Sequence, residues 1–151
     1  MRFLVQHHPS RAALLERFPG FTVVTDPGGK LPSPWRTYSR CLDELGHEQG
    51  VIVQDDAYLC DDFHRLATEA AETCPCRVLC LFVSGQASYA VQAMQIAQAA
   101  GESFARIGYD HFLPVVATVW PAGAAREVLA WADRRRSSET ADDAITAAAV
   151  R

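Results

Sequence analysis

Two aspartates stand side by side at positions 55 and 56, directly behind the apolar run Val51-Ile52-Val53. Adjacent carboxylates at the end of a buried segment repel each other and lose hydration, so one stays protonated unless a cation lies between them. A hard divalent ion, Mg²⁺ or Mn²⁺, resolves that conflict with oxygen ligands and keeps positions open for phosphate oxygens. The plainer alternative is a turn, because aspartate is a common loop former. A second acidic pair, Asp61-Asp62, follows closely. Arg36 and Arg40 are one helical turn apart. That spacing suits either two guanidiniums turned towards a diphosphate or two exposed helix arginines.

Such residues need elements to hold them, and the chain alternates strand-like and helix-like segments from its start. Phe3-Leu4-Val5 reads as a first strand, closed by His7-His8-Pro9. Ser10 is placed to cap a helix over Arg11–Phe18, which Pro19-Gly20 breaks. Phe21–Thr25 forms a second strand, ended by Asp26-Pro27-Gly28-Gly29. Tyr38, Cys41, Leu42 and Leu45 fall on one face of a helix running from Trp35 to Leu45, and Gly46 stops it. Val51–Val53 has the continuous apolarity of a central strand buried on both faces. Asp61 or Asp62 caps the next helix, whose face is Phe63, Leu66, Ala67, Ala70 and Ala71. Val78–Val83 and Val115–Trp120 read as further strands, and Gln86–Ala100 and Gly123–Asp133 as helices.

Five strands interleaved with helices predict a single-domain α/β fold, an open and largely parallel twisted sheet with flanking helices over residues 1–133. The polar segment 134–151 follows as a tail with a short Ala-rich piece. In open α/β sheets ligands gather beyond the carboxyl ends of the strands. The residues at those ends are His7-His8, Asp26, Gln54-Asp55-Asp56, Ser84-Gly85-Gln86 and Pro121. His47 falls at the amino end of the central strand, away from such a site, and His64 reads as a surface residue of the following helix.

A net charge of −4 with scattered arginines argues against broad binding of nucleic acid through a basic face. No apolar run reaches the roughly 20 residues of a membrane span, which predicts no membrane partner and a cytoplasmic setting. The five cysteines read as buried thiols, and Cys74-Pro75-Cys76 lacks the spacing and the downstream His of a zinc site. There is no P-loop, no G-x-G-x-x-G after the first strand and no G-x-S-x-G elbow.

The segment VIVQDDAYLCDDF, from Val51 to Phe63, resembles the metal-binding segment of GT-A (Rossmann-like) glycosyltransferases. There a hydrophobic strand runs into an acidic triplet, then a short turn and a helix. The helix with Trp35, Arg36 and Arg40 resembles the one beside the nucleotide, and FLPVVATVWPAGAAREVLAWAD resembles the strand and helix of the acceptor side. The likeness is to compact enzymes of bacteriophages and bacteria. It implies a nucleotide-diphosphate sugar as donor and a Mn²⁺ or Mg²⁺ cofactor. The acceptor it implies is a protein, a glycan or a modified nucleic acid. Asp56 would ligate the metal, and Asp55 would contact the ribose or support the metal through water. His7 and Asp26 would lie around base and ribose. Gln54 departs from the family by standing where it often has an acid, and no His follows His111 to serve as a further metal ligand.

An inverting transferase also needs a carboxylate to deprotonate the acceptor. Asp142-Asp143 resemble the late acidic pair with that role; alternatively they fill the first turn of a helix capped by Thr140. A module of the same fold that binds a nucleotide or a protein without turnover is the competing reading.

Overall fold

The structure, a computed structural model, describes residues 1–28, 34–82, 88–107 and 116–135. Five strands, β1 (Arg2–His7), β2 (Thr22–Thr25), β3 (Gly50–Gln54), β4 (Leu79–Cys80) and β5 (Ala117–Trp120), form one sheet in the order β2-β1-β3-β5-β4. β1 pairs in parallel with both β2 and β3, whereas β5 lies antiparallel to β3 and to β4. The sheet is therefore mixed, with one reversed strand inside it. This reversal corrects the position of Pro121. Trp120 pairs with Gly50, so the chain leaves β5 at the amino end of β3. Pro121 thus stands at the edge opposite the other strand ends.

Period-two alternation sends the side chains of β1 and β3 into two cores. Leu4 and Ile52 pack on one face against α1 (Pro34–Leu45) and α4 (Ala124–Arg135). Val5, Val51 and Val53 pack on the other against α2 (Phe63–Thr73) and Leu15 and Phe18. A strand buried on both faces has no polar side to present, which explains why Val51–Val53 reads as a continuous apolar run. The α1 stripe behaves as its spacing requires, with Tyr38, Cys41, Leu42 and Leu45 all buried. Gly46 ends α1 at φ +59°, its N–H bonded to Leu42 O at 3.1 Å. A further helix, α3, spans Ser88–Ala99.

Four local features differ from expectation. The segment after β1 is a 3₁₀ helix over Pro9–Arg17, capped by the His8 side chain, which accepts from Ser10 N. Pro9 opens it, and Arg11 breaks it with φ −113° and ψ 24°. Asp62 stands at the N-cap of α2 but gives no capping bond, because its carboxylate is bonded to Arg65 at 2.8 Å. Leu66, assigned to the buried face of α2, is 45% exposed, and Ala67 and Ala71 carry the contact instead. β4 is shorter than its apolar run, and Val83 falls outside the described residues.

The cysteines do not share one environment. Cys41 is buried, whereas Cys60 and Cys76 are exposed, and none is in a disulfide. Trp35 and Trp120 are core residues, and the Trp120 indole donates to Tyr38 Oη and Thr118 Oγ1, both at 3.1 Å. Tyr38 and Thr118 are themselves bonded at 2.8 Å, so this buried polar trio satisfies itself. Among the described residues no helix is long and apolar enough to cross a membrane.

Candidate functional site

The three parallel strands β2, β1 and β3 end side by side, and main-chain bonds carry the register past them. Asp26 N donates to His7 O at 2.8 Å, and Asp55 N donates to Gln6 O at 3.1 Å. Asp26, His7-His8 and Asp55-Asp56 are thereby brought to one edge of the sheet. Gln54 O accepts from Ala57 N at 3.1 Å, so Asp55 and Asp56 are the two central residues of a turn. The Gln54 side chain is half-buried at the head of that turn.

The two aspartates differ sharply. Asp55 is 2% exposed and its carboxylate accepts three hydrogen bonds. Oδ2 accepts from His7 Nδ1 at 3.0 Å and from His8 N at 2.7 Å, while Oδ1 accepts from Arg11 Nη1 at 2.8 Å. An ionised carboxylate only accepts, so the bond requires the proton on His7 Nδ1. Asp56 is half exposed, and the same Arg11 Nη1 reaches its Oδ2 at 2.9 Å. One guanidinium nitrogen thus lies between the two carboxylates, where their mutual repulsion calls for a cation. The bond to Asp55 and the nearby Asp56 raise the Arg11 pKa further.

Arg17 approaches the turn from the same 3₁₀ segment. Its Nη2 donates to Asp55 O at 3.4 Å, and its guanidinium lies 4.4 Å from the ring centre of Tyr58. Its Nε and Nη1 are buried without an acceptor among the described residues. Orphaned donors of this kind are rare and costly.

At the end of β2, Asp26 is fixed by a two-pronged contact from Arg36, Nε to Oδ1 at 3.0 Å and Nη2 to Oδ2 at 3.2 Å. Gly28 N adds a third bond at 2.9 Å. The Arg36 guanidinium beside it holds the Asp26 carboxyl below the usual aspartate range. Arg40 donates to Thr25 O at 3.1 Å. Arg36 and Arg40 do share a helix face, but that face serves the end of β2. His64 is exposed, with its ring 4.4 Å from Phe3. His47 lies at the opposite edge, where its carbonyl accepts from Gly123 N. Ser84-Gly85-Gln86 and Asp142-Asp143 lie outside the described residues.

Oδ1 of Asp55 and Oδ2 of Asp56 both lie within 3 Å of one positively charged group, the Arg11 guanidinium, which stands in for a cation there. No group of three or more His, Cys, Asp or Glu is arranged around an ion site among the described residues. Mg²⁺ and Mn²⁺ do not need one, since they are held by one or two carboxylates with waters and phosphate oxygens. Asp56, exposed and bonded through only one oxygen, suits that role. Asp55, with its oxygens engaged, suits the positioning of the turn.

Arg11 and Arg17 escape a reading by periodicity, because both sit in a segment that reads as an ordinary capped helix. The available signal was one of charge: two adjacent acids demand a nearby cation, and the strand next to theirs is followed by two arginines. No protein-family model, no curated protein and no solved structure matches the chain.

Proposed function

We propose that the protein is a glycosyltransferase of the GT-A kind, transferring a sugar from a nucleotide-diphosphate sugar bound at the edge formed by β2, β1 and β3. The observation that carries this reading is the convergence of Asp26, His7-His8 and Asp55-Asp56 at the carboxyl ends of three adjacent parallel strands. Asp26, fixed by Arg36 and Gly28, keeps one acceptor position on Oδ2 for a hydroxyl or N–H donor of a ribose or base. Arg11 brings positive charge and donor N–H groups to the neighbouring diphosphate, and Arg17 adds positive charge behind it. Asp55 holds the turn in shape through His7 and His8, and Asp56 faces outward to take part in cation binding. A divalent ion, when bound, supplies neutralisation of the charge that grows on the departing diphosphate. Asp142 or Asp143 takes the acceptor proton in this scheme.

A second reading, a nucleotide-binding module without turnover, is favoured by the burial of Asp55, which leaves one outward carboxylate at the turn. A thermal-shift screen of nucleotide sugars with and without Mn²⁺ separates the two. Metal-dependent stabilisation by one donor, lost in Asp56→Ala and accompanied by release of the sugar, supports the transferase. Stabilisation without sugar release supports the module. No response to any nucleotide sugar sinks both.

A further inference from the structure

The turn carries two carboxylates and one guanidinium, and a divalent ion on the remaining Asp56 oxygen would share that carboxylate with the guanidinium, a like charge. Arg11 Nη1 already occupies the space within hydrogen-bond reach of Asp55 Oδ1 and Asp56 Oδ2. An ion using the Asp56 oxygen meets a like charge unless the guanidinium withdraws. Arg11 is free to do so. Its side chain is 45% exposed, against 2% for Asp55, and its backbone lies at a break in the 3₁₀ segment. A withdrawn guanidinium needs an anion, and the diphosphate of the donor is the anion the site is read to bind.

From this competition, and resting on the donor-site reading above, we infer that Arg11 is an exchangeable counter-charge. It holds the Asp55-Asp56 pair while the site is empty and passes to the diphosphate when metal and nucleotide arrive together. Metal alone must displace Arg11 into water, and nucleotide alone must compete with two carboxylates for it. Each ligand therefore binds weakly by itself and more tightly in the presence of the other. Coupling of this kind is reciprocal, and Arg11 is the residue through which it acts. Asp55 has no such freedom, because His7 and His8 keep hold of it.

Two variants of the full chain, Arg11→Ala and Arg11→Gln, test the exchange. Mn²⁺ binding without nucleotide is followed by the electron paramagnetic resonance of the free ion. The wild-type protein binds Mn²⁺ weakly, and both variants bind it at least tenfold more tightly. The gain disappears in the double variant with Asp56→Ala. Mn²⁺ also raises the melting temperature of Arg11→Ala, repairing what loss of the counter-charge removes, while the stabilisation by UDP or GDP at fixed Mn²⁺ shrinks. Equal Mn²⁺ affinity in wild type and both variants overturns the exchange and leaves the donor-site reading intact. Tighter Mn²⁺ binding in the variants, with no nucleoside diphosphate stabilising the wild type, overturns the donor-site reading. It overturns the exchange as well, reducing Arg11 to a static counter-ion.

Discussion

Asp55 and Asp56 are neighbours in sequence and opposites in environment, and substitution separates them. Asp55 is buried against His7, His8 and Arg11. Removing one member of such a buried, hydrogen-bonded charge pair costs about 3 kcal/mol. Asp55→Ala is therefore expected to lower stability by that order in chemical denaturation. Asp56→Ala, at a half-exposed residue, stays within about 1 kcal/mol of the wild type. Only the second variant tests ligand binding on an intact scaffold. Asp26 gives a pH signature. Its carboxyl is held below the ordinary range by Arg36, so the unfolded chain takes up the proton first as pH falls. The contribution is complete above about pH 4, the ordinary aspartate value, and is lost as pH drops through the lowered one. Asp26→Asn is expected to flatten the dependence of the urea midpoint on pH across that window. A variant with the wild-type slope would show that the pair contributes nothing to folding.

The elements were legible where burial alone decided them. The α1 stripe and the apolar run of β3 follow from spacing, because the sheet needs a helix on one side and admits nothing polar at its centre. The 3₁₀ segment was not legible. Its composition suits a helix, and what decides its form is Pro9, the cap from His8 and the pull of Asp55 on Arg11, the last a tertiary contact. The direction of β5 was likewise hidden, since a short strand reads the same in either sense. Gly50 shows how closely the elements fit. A Cβ there would collide with Leu45 Cδ2 and come within 2.9 Å of Arg2 O. Gly50→Ala must turn the Leu45 side chain aside and shift β3 against Arg2 O of β1, at a cost of about 1–3 kcal/mol. The urea midpoint measures that cost, and an unchanged midpoint would show that both give way freely.

At the scale of the whole molecule, the cysteines report on integrity. Burial pushes the Cys41 thiol up to about 12, and its side chain is shut inside the core between the sheet, α1 and α4. Only the thiolate reacts with alkylating reagents. Iodoacetamide at about pH 8, near the ordinary thiol value, is expected to modify Cys60 and Cys76 in the native protein. It should reach Cys41 only when the chain unfolds, with peptide mass spectrometry reading the order. Rapid native modification of Cys41 would mean that the core between α1 and the sheet opens locally. The candidate site was legible in outline at this scale, through acids at strand ends, and illegible in its charge balance. The arginines that complete it come from a segment distant in sequence from the acids.

The reversal at β5 also decides which way α4 runs. A strand running with its neighbours would hand the following helix to the ligand edge, and that helix would carry the chain away from it. β5 runs the other way, and its successor begins at the far rim, where Gly123 bonds His47 and Arg126 bonds Asp43. Twelve residues of helix then rise about 18 Å back across the sheet face. By parity, one inverted strand returns Arg135 towards the rim that holds Asp26 and Asp56. The last turn of α4 and the three strand ends that carry Asp26, His7 and Asp55 therefore share one rim of the sheet.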